Sequence, residues 1–525
     1  MKKLTRELTT MQKKKVAALF LFLVIMIFAI VVLRNAWVSD DAYITFRTVN
    51  NFVNGYGLTW NVGERVQAYT HPLWMFMVSA LYFFTHEAYY TSIFLSLLLS
   101  LAAVLIFALK IANSRTIAIL GILVLTGSKA FIDYSTSGLE NPLNHLILAL
   151  FFLVYFQGEP NQKKLFLLSL IASLGMLNRI DTVLIYFPCL LYAMLRFRKK
   201  SGLYWAAIGF TPIVVWELFS LFYYGFPFPN TAYAKLHTGI SDAALAVQGI
   251  RYFKNSFDQD PLTLVTIIAS LVAALLKRER DKLAVAGGMA LYLLYIIKIG
   301  GDFMSGRFFT VVLFSSVMLL SQYHNLGIFG KKQAWMTGLI IITVSLTGPF
   351  PPILSNADYG LQRQAIYAYG IADERAFYYQ ASGLLKARKG QIMPNHVWTT
   401  AGLEARKKGP SVVVRKAIGY YGYFAGPAVY IVDEMALSDP LLARLPAKKP
   451  WRIGHFERNI PSGYLATLRS GKNQIKDRGL AEYYDKLSLV TRGNLFDRRR
   501  LLEIWNFNTG KNEYLIKNNQ LSTLR

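Results

Sequence analysis

The sequence predicts a polytopic α-helical membrane protein with a C-terminal α+β domain on the non-cytoplasmic side. Three observations predict it. The 525 residues are 54% hydrophobic and only 17% charged, with a mean hydropathy of +0.33, whereas soluble chains carry about 25% charge. Apolar stretches of membrane-helix character recur eleven times before residue 350. After residue 350 none recurs, and basic and aromatic residues interleave instead.

The elements follow in order. Residues 1–15 carry six Lys/Arg, and the apolar stretch 16–38 follows. A cleaved signal has a shorter apolar run, about 7–15 residues, ending in a small-residue cleavage site. This stretch reads instead as a retained first helix that starts in the cytoplasm. The remaining spans fall at 92–109, 116–131, 143–156, 165–177, 183–195, 203–223, 260–276, 283–299, 308–321 and 335–350. The pair 165–177 and 183–195 is short and has basic loops on both outer sides, at Lys163–Lys164 and at 196–200. It reads as a re-entering hairpin that turns at Asn178-Arg179-Ile180-Asp181.

Orientation follows from the positive-inside rule. The loops 1–15, 110–115, 157–164, 196–202, 277–282 and 322–334 together hold twenty Lys/Arg and are placed inside. The opposite loops hold the carboxylates, among them Asp40, Asp41, Glu64, Asp133, Glu140, Asp181 and Asp302. Residues 72–84 are apolar but short. Counting them as a span would reverse every later loop and put Lys199, Lys200 and 277–280 outside, so they read as a helix along the outer interface. The alternative is a short true span.

The domains expected are 1–350 for the membrane part and 351–525 for the extracytoplasmic part. The latter holds 27 Lys/Arg against 14 Asp/Glu, and 428–432 reads as a buried strand bounded by Gly-Pro and Asp. The net charge of +27 is spread over the inner loops and this domain. The partner expected is therefore membrane lipid or an anionic lipid-linked substrate rather than nucleic acid. The single cysteine, Cys189, lies in an apolar run, which excludes a disulfide within the chain.

Chemistry concentrates in the outer loops. Residues 40–47 read Asp-Asp-Ala-Tyr-Ile-Thr-Phe-Arg. The loop continues with Gly55-Tyr56-Gly57-Leu58, then Asn61-Val62-Gly63-Glu64-Arg65-Val66, then Tyr69-Thr70-His71-Pro72-Leu73-Trp74. Glycines, aromatics and single polar residues at this density mark a structured loop rather than a tether. Further motifs are Ser137-Gly138-Leu139-Glu140, Leu177-Asn178-Arg179-Ile180-Asp181, and the run from Gly300 to Phe308, Gly-Gly-Asp-Phe-Met-Ser-Gly-Arg-Phe. The C-terminal part adds Tyr421-Gly422-Tyr423-Phe424-Ala425-Gly426-Pro427, Val432-Asp433, Asp439-Pro440 and Gly454-His455.

Taken in order, these motifs resemble the membrane-embedded GT-C glycosyltransferases, and most closely the terminal β-(1→2) arabinofuranosyltransferases that finish cell-wall arabinan. The turn at 178–181 departs from the family's usual Thr-Arg-Pro-Asp. The resemblance implies a GT-C fold of about eleven transmembrane helices in a bacterial plasma membrane. It also implies an active site on the outer face, a polyprenyl-phosphate sugar donor and a glycan acceptor.

The chemistry implied needs a carboxylate to take the proton of the attacking sugar hydroxyl. It also needs cations beside the departing phosphate, where water is sparse. Asp40 is the expected base, with Asp41 the second candidate, since adjacent carboxylates raise one pKa of the pair. Arg307 and then Arg179 are expected at the donor phosphate, with His71 beside them. Asp302 is expected to bind sugar hydroxyls or to orient Arg307. Glu140 is expected to tether the outer loops beside the substrate, and Arg179 with Asp181 to bind there or to form an ion pair. Lys235 and His237 are substrate candidates, and His455 and Glu457 are acceptor candidates. No His/Cys group has zinc spacing, and the acidic pair alone would hold a divalent metal weakly. No obligate cofactor is expected.

Other readings keep the architecture. One changes the sugar and puts it on another polysaccharide, a lipid or a protein. Another is a transporter of lipid-linked sugars, against which stand the carboxylates at helix ends and the lack of repeated halves. A non-catalytic scaffold would leave Asp40, Asp41 and Asp302 dispensable.

Overall fold

The computed structural model describes residues 2–236, 238–323, 331–361 and 364–516, so His237 lies outside the described residues. Every one of the eleven apolar stretches is helical. In chain order the first half contains α1 (Lys2–Arg34), α2 (Asp40–Val53), α3 (Pro72–Thr85), α4 (Tyr89–Ile106), α5 (Arg115–Gly127), α6 (Lys129–Asp133), α7 (Asn141–Phe156), α8 (Gln162–Asn178) and α9 (Val183–Phe197). There follow α10 (Ser201–Gly209), α11 (Thr211–Tyr223), α12 (Asn230–Leu236), α13 (Asp242–Gln259), α14 (Pro261–Lys277), α15 (Arg280–Lys298), α16 (Phe309–Leu320) and α17 (Lys331–Thr347). Three segments, Lys15–Arg34, Tyr89–Ile111 and Ile180–Phe197, are long and apolar enough to cross a membrane by length and composition. Two bent pairs, α10 with α11 (50°) and α13 with α14 (112°), bring the number to five. Shorter helices are shielded by neighbours: every residue of α16 from Phe309 to Leu319 is buried, as expected of an apolar run too short to span alone.

The helix turns gather at two ends. At one, Trp37 Nε1 donates to the Asp133 carbonyl (2.7 Å), Asn35 Nδ2 donates to the Pro352 carbonyl (3.1 Å), and Arg179 meets Glu140. At the other, Tyr155 Oη donates to the Asp281 carbonyl (2.8 Å), Gln322 Nε2 donates to the Ile111 carbonyl (2.8 Å), and Arg196 pairs with Glu159. The basic loops assigned to the cytoplasm meet at the second end.

Several boundaries differ from expectation. The hairpin expected to re-enter runs the full length of α7: Arg179 meets Glu140 at one end, and Lys164 Nζ donates to the Tyr155 carbonyl at the other (2.8 Å). The stretch 116–131 breaks at Ser128, whose Oγ accepts from Phe131 N–H and starts α6. That break brings Lys129 to the first of these ends, where Asp133 and Asp373 neutralise it. Residues 40–53, read as loop, form α2, capped by the Ser39 hydroxyl accepting from Ala42 N–H (3.2 Å). Asp40 and Asp41 in its first turn suit the helix dipole.

The C-terminal part contains α18 (Glu374–Ser382), α19 (Val397–Lys408), β1 (Ser411–Arg415), α20 (Gly419–Ala425), β2 (Val429–Asp433), α21 (Tyr464–Ser470), α22 (Arg478–Arg492) and α23 (Arg498–Asn508). β1 and β2 pair in parallel, with Ser411 opposite Val429 and Arg415 opposite Asp433, and α20 makes the crossover. This part shares cores with the first outer loop. Ile44, Trp60 and Ala68 pack with Ile418, Tyr421, Val429 and Ile431. Arg47, buried without a carboxylate, donates to the carbonyls of Trp60, Gly422 and Val429 at 2.8, 2.6 and 2.8 Å. Glu64 holds Arg492 and accepts from Tyr430 Oη. These bonds make the first outer loop part of a rigid floor.

Candidate active site

The helical repeat of α2 separates the acidic pair. Asp40 and Arg47, seven residues apart, lie on one face, and Asp41 and Thr45, four apart, on the next. The Asp40 face meets α20: its carboxylate accepts from Gly419 N–H (3.1 Å) and Tyr420 N–H (2.7 Å). Gly419 is required there, since a Cβ would stand 1.8 Å from the Asp40 carbonyl oxygen. Burial pushes the Asp40 pKa up to about 7, against the pull of the Tyr420 N–H bond.

Asp41 is partly exposed and accepts no hydrogen bond among the described residues. Burial raises its pKa. Lys235 and Arg307 pull it back down, and Asp302 and Glu140 push it up again. This carboxylate therefore faces the charged cluster, while Asp40 is committed to the backbone of α20.

Glu140, fully buried at the head of α7, is the hub of that cluster. Arg307 Nη2 donates to both its oxygens (2.9 and 3.0 Å), and Arg179 Nη1 donates to Oε1 (3.0 Å). Burial raises the Glu140 pKa, but the cations, Arg307 first, outweigh it and hold the group below the ordinary carboxylate range. His71 Nδ1 stands 3.4 Å from Glu140, and Thr45 Oγ1 lies 2.8 Å from its Nε2. Burial pushes the His71 pKa down to about 4, so the ring is neutral. Its ring nitrogens pair with two hydroxyls, Nε2 with Thr45 Oγ1 and Nδ1 with Thr70 Oγ1 (3.3 Å), and Nδ1 lies beside the Glu140 carboxylate.

Both arginines already hold carboxylates. Arg179 forks onto Asp181, touches Glu140 and lies 4.5 Å from the Phe308 ring centroid. Arg307 Nη1 keeps donor capacity, with only the Met304 sulfur at 3.4 Å and Asp302 Oδ2 at 3.6 Å. Asp302 Oδ1 accepts from its own neighbour, Phe303 N–H, and the buried Oδ2 has no hydrogen-bond partner. Lys235, exposed at the end of α12, makes no ion pair among the described residues and acts electrostatically on Asp41.

The structure also separates some candidates. His455 packs edge-on against Phe303, 4.4 Å between centroids, and borders the cluster. Glu457 turns away to Lys416 (2.8 Å). Sequence reasoning missed Glu374, a buried carboxyl at the start of α18 whose pKa is raised well above the ordinary value by burial and then by Asp41. Its only sequence signal is the triplet Asp373-Glu374-Arg375 ahead of an aromatic run. Among the described residues no group of three acidic, His or Cys side chains has the geometry of a metal site. A cavity of about 370 Å³ between Pro349 and Gly360 lies along a different stretch from the Asp41 cluster.

The carboxylates and guanidinium groups that meet at one end of the helical bundle fit an enzyme of the membrane glycosyltransferase kind, which is what the motifs lead one to expect. Two relatives bear this out. A terminal β-(1→2)-arabinofuranosyltransferase of Mycobacterium tuberculosis is 25% identical over 523 residues, covering 82% of each chain. A protein of the same name from Corynebacterium glutamicum is 28% identical over 332 residues, covering 54% of this chain and 48% of its own. No protein-family model matches. Among solved structures, the fold is similar to ArnT from Cupriavidus metallidurans bound to undecaprenyl phosphate, with a TM-score of 0.49, 11% identity, and coverage of 81% of this chain and 87% of that one.

Proposed function

We propose that the chain is an inverting glycosyltransferase that moves a sugar, arabinofuranose by the names of its curated relatives, from a polyprenyl phosphate to a cell-surface glycan on the outer face of the membrane. Asp41, rather than Asp40, is the base. It takes the proton of the acceptor hydroxyl as that oxygen bonds to the anomeric carbon from the face opposite the phosphate. The bond from the anomeric carbon to the phosphate oxygen breaks, and the electron pair leaves with the phosphate. Lys235 and Nη1 of Arg307, which holds only the Met304 sulfur and a long contact to Asp302, receive that charge. Asp302 Oδ2, buried and unpartnered, is suited to a sugar hydroxyl. Glu140, Arg179, Asp181 and neutral His71 position Arg307 rather than touch the donor. A divalent metal has no role in this scheme.

The observation that carries the reading is the division of labour across α2: Asp40 is bonded to α20, whereas Asp41 has no hydrogen bond or ion pair among the described residues and feels the charges of Lys235 and Arg307. The test is transfer in proteoliposomes from synthetic polyprenyl-phosphoryl arabinofuranose, with hexosyl donors in parallel. Consumption of the arabinofuranosyl donor alone is expected. Exclusive use of a hexosyl donor would replace the sugar. No turnover of any lipid-linked sugar by the folded protein would end the proposal.

A further inference from the structure

Helix α23 divides into two faces. Arg500, Ile504 and Phe507 point into the protein, whereas Arg498, Leu501, Leu502 and Trp505 share the opposite face. There Leu501, Leu502 and Trp505 are 43%, 59% and 62% exposed, and Phe496 just before the helix is 77% exposed. An apolar stripe of this kind on a soluble surface needs a cover.

Its position says what the cover is. Arg500 Nη2 donates to the carbonyls of Phe222 and Tyr223, both at 2.9 Å, and so caps the last turn of α11. Asn508 Nδ2 donates to the Gly225 carbonyl just beyond (2.9 Å). Gly225 itself is pressed so closely on α22 that a Cβ would lie 2.2 Å from Val490. Helix α11 is half of a bent apolar pair of span length, and it exposes Val214, Leu218 and Phe222 along one stripe, as a lipid-facing helix does. Phe222 at the end of that stripe packs on Phe496, 5.5 Å between ring centroids. The lipid-facing surface of a membrane helix thus runs without a break into the exposed face of α23.

We infer that α23 is a second membrane attachment, lying in the interface of the leaflet at the active-site end. Phe496, Leu502 and Trp505 enter the acyl boundary, and Arg498 sits at the level of anionic lipid phosphates. Asp497 already holds Arg499 (2.9 Å), which leaves Arg498 for the lipid. The attachment fixes the C-terminal part, and with it α20 against Asp40, at a set height over the bilayer.

The experiment uses the whole protein in nanodiscs of phosphatidylcholine and phosphatidylglycerol, on a Cys189→Ser background. Nitroxides are placed at Leu502→Cys and, as an aqueous reference on the same part, at Lys472→Cys. The ratio of oxygen to nickel-chelate collisions is expected to be several-fold higher at 502 than at 472. Equal ratios would overturn the inference. Protection of 502 from both reagents would also overturn it, in favour of a second copy covering the face. A measurement without cysteine substitution serves as a cross-check: emission of Trp505, taken as the difference from Trp505→Phe, is expected to fall in bromine-labelled lipid. An unchanged difference would likewise sink the idea.

Discussion

At the active-site end of the bundle two buried ionic networks lie close together and are built differently. Around Arg375, two cations and two carboxylates close on each other among the described residues. Arg375 Nε meets Asp133 at 2.6 Å, Lys129 meets Asp133 and meets Asp373 at 3.1 Å, and Tyr359 Oη donates to Asp373 at 2.6 Å. The Tyr359 ring stacks 3.6 Å from the guanidinium. Around Glu140 the charges do not close. Arg307 Nη1 has only a sulfur and a long 3.6 Å contact to Asp302 Oδ2, that oxygen accepts no hydrogen bond, and Lys235 acts on Asp41 without pairing with it among the described residues. The first network pairs every charge with an opposite one, as a structural joint does, although Arg375 Nη2 has no hydrogen-bond partner among the described residues. The second retains unspent donors and acceptors, as a site that must receive a charged substrate does. Two buried clusters of similar composition thus differ in how their charges are paired: the first closes on itself, and the second leaves Asp41 and Lys235 without an ion pair among the described residues.

The comparison breaks most sharply at Asp41. Asp41→Asn is expected to lower transfer by about 10²–10⁴-fold, the usual worth of a general base, with thermal stability unchanged. Asp40→Asn is expected to do the reverse in part. An amide cannot accept from both Gly419 and Tyr420 N–H, so docking of α20 weakens and the melting temperature falls. A full loss of turnover in a stably folded Asp40→Asn protein, with Asp41→Asn active, would reverse the two roles.

On the closed network the expected loss is stability alone. Arg375→Met leaves Asp133 and Asp373 with one buried cation between them, and removing one partner of such a pair costs about 3–5 kcal/mol. Unfolding of the purified protein should report that loss, while turnover per folded molecule stays near wild type. Arg307→Ala is the counterpart on the open network. It removes charge-assisted bonds worth about 1.5–3 kcal/mol, so KM for the donor should rise about tenfold to a hundredfold while acceptor KM moves little.

How much of this was legible in the sequence depends on the kind of information each feature needs. The helical character of the apolar stretches could be read because apolar length is local. So could the strand at 428–432, seen at Val429–Asp433, because Gly-Pro and Asp punctuate it. The break at Ser128 was hidden because Lys129 is buried partly through Asp373, far along the chain. The acidic pair was legible as chemistry. Its internal order was not, since it depends on α20 approaching one face of α2. Arg307 and Arg179 were found as cations, but Glu140 already occupying both is a fact of packing. Glu374 gave almost no signal, because its meaning comes from neighbours brought in from residues 40, 41 and 302.

Proton uptake sharpens the comparison further. Asp41 has a raised pKa, and only its ionised form accepts a proton. Transfer should therefore rise with pH through an inflection above the ordinary value of about 3.9, and the inflection should be absent from the residual rate of Asp41→Asn. At Asp40 the sign runs the other way for stability. The native state binds that proton more tightly than the unfolded chain, so its contribution is full below the unfolded value near 3.8 and is lost as pH rises through about 7. The wild-type melting temperature should fall across that window more than that of Asp40→Asn.

The smallest effect is expected at Glu374. Its raised pKa, set by burial and then by Asp41, favours the neutral carboxylic acid. Glutamine has nearly the same shape and is also neutral, so Glu374→Gln should change kcat/KM by less than about threefold, within about 0.7 kcal/mol of transition-state energy. Glu374→Lys would instead bring a cation against Asp41 and lower the pKa of the base, moving the activity inflection to lower pH. If Glu374→Gln removed activity as fully as Asp41→Asn, the proton would sit on a different carboxyl than its burial implies. Glu374 rather than Asp41 would then be the group that exchanges it with the acceptor.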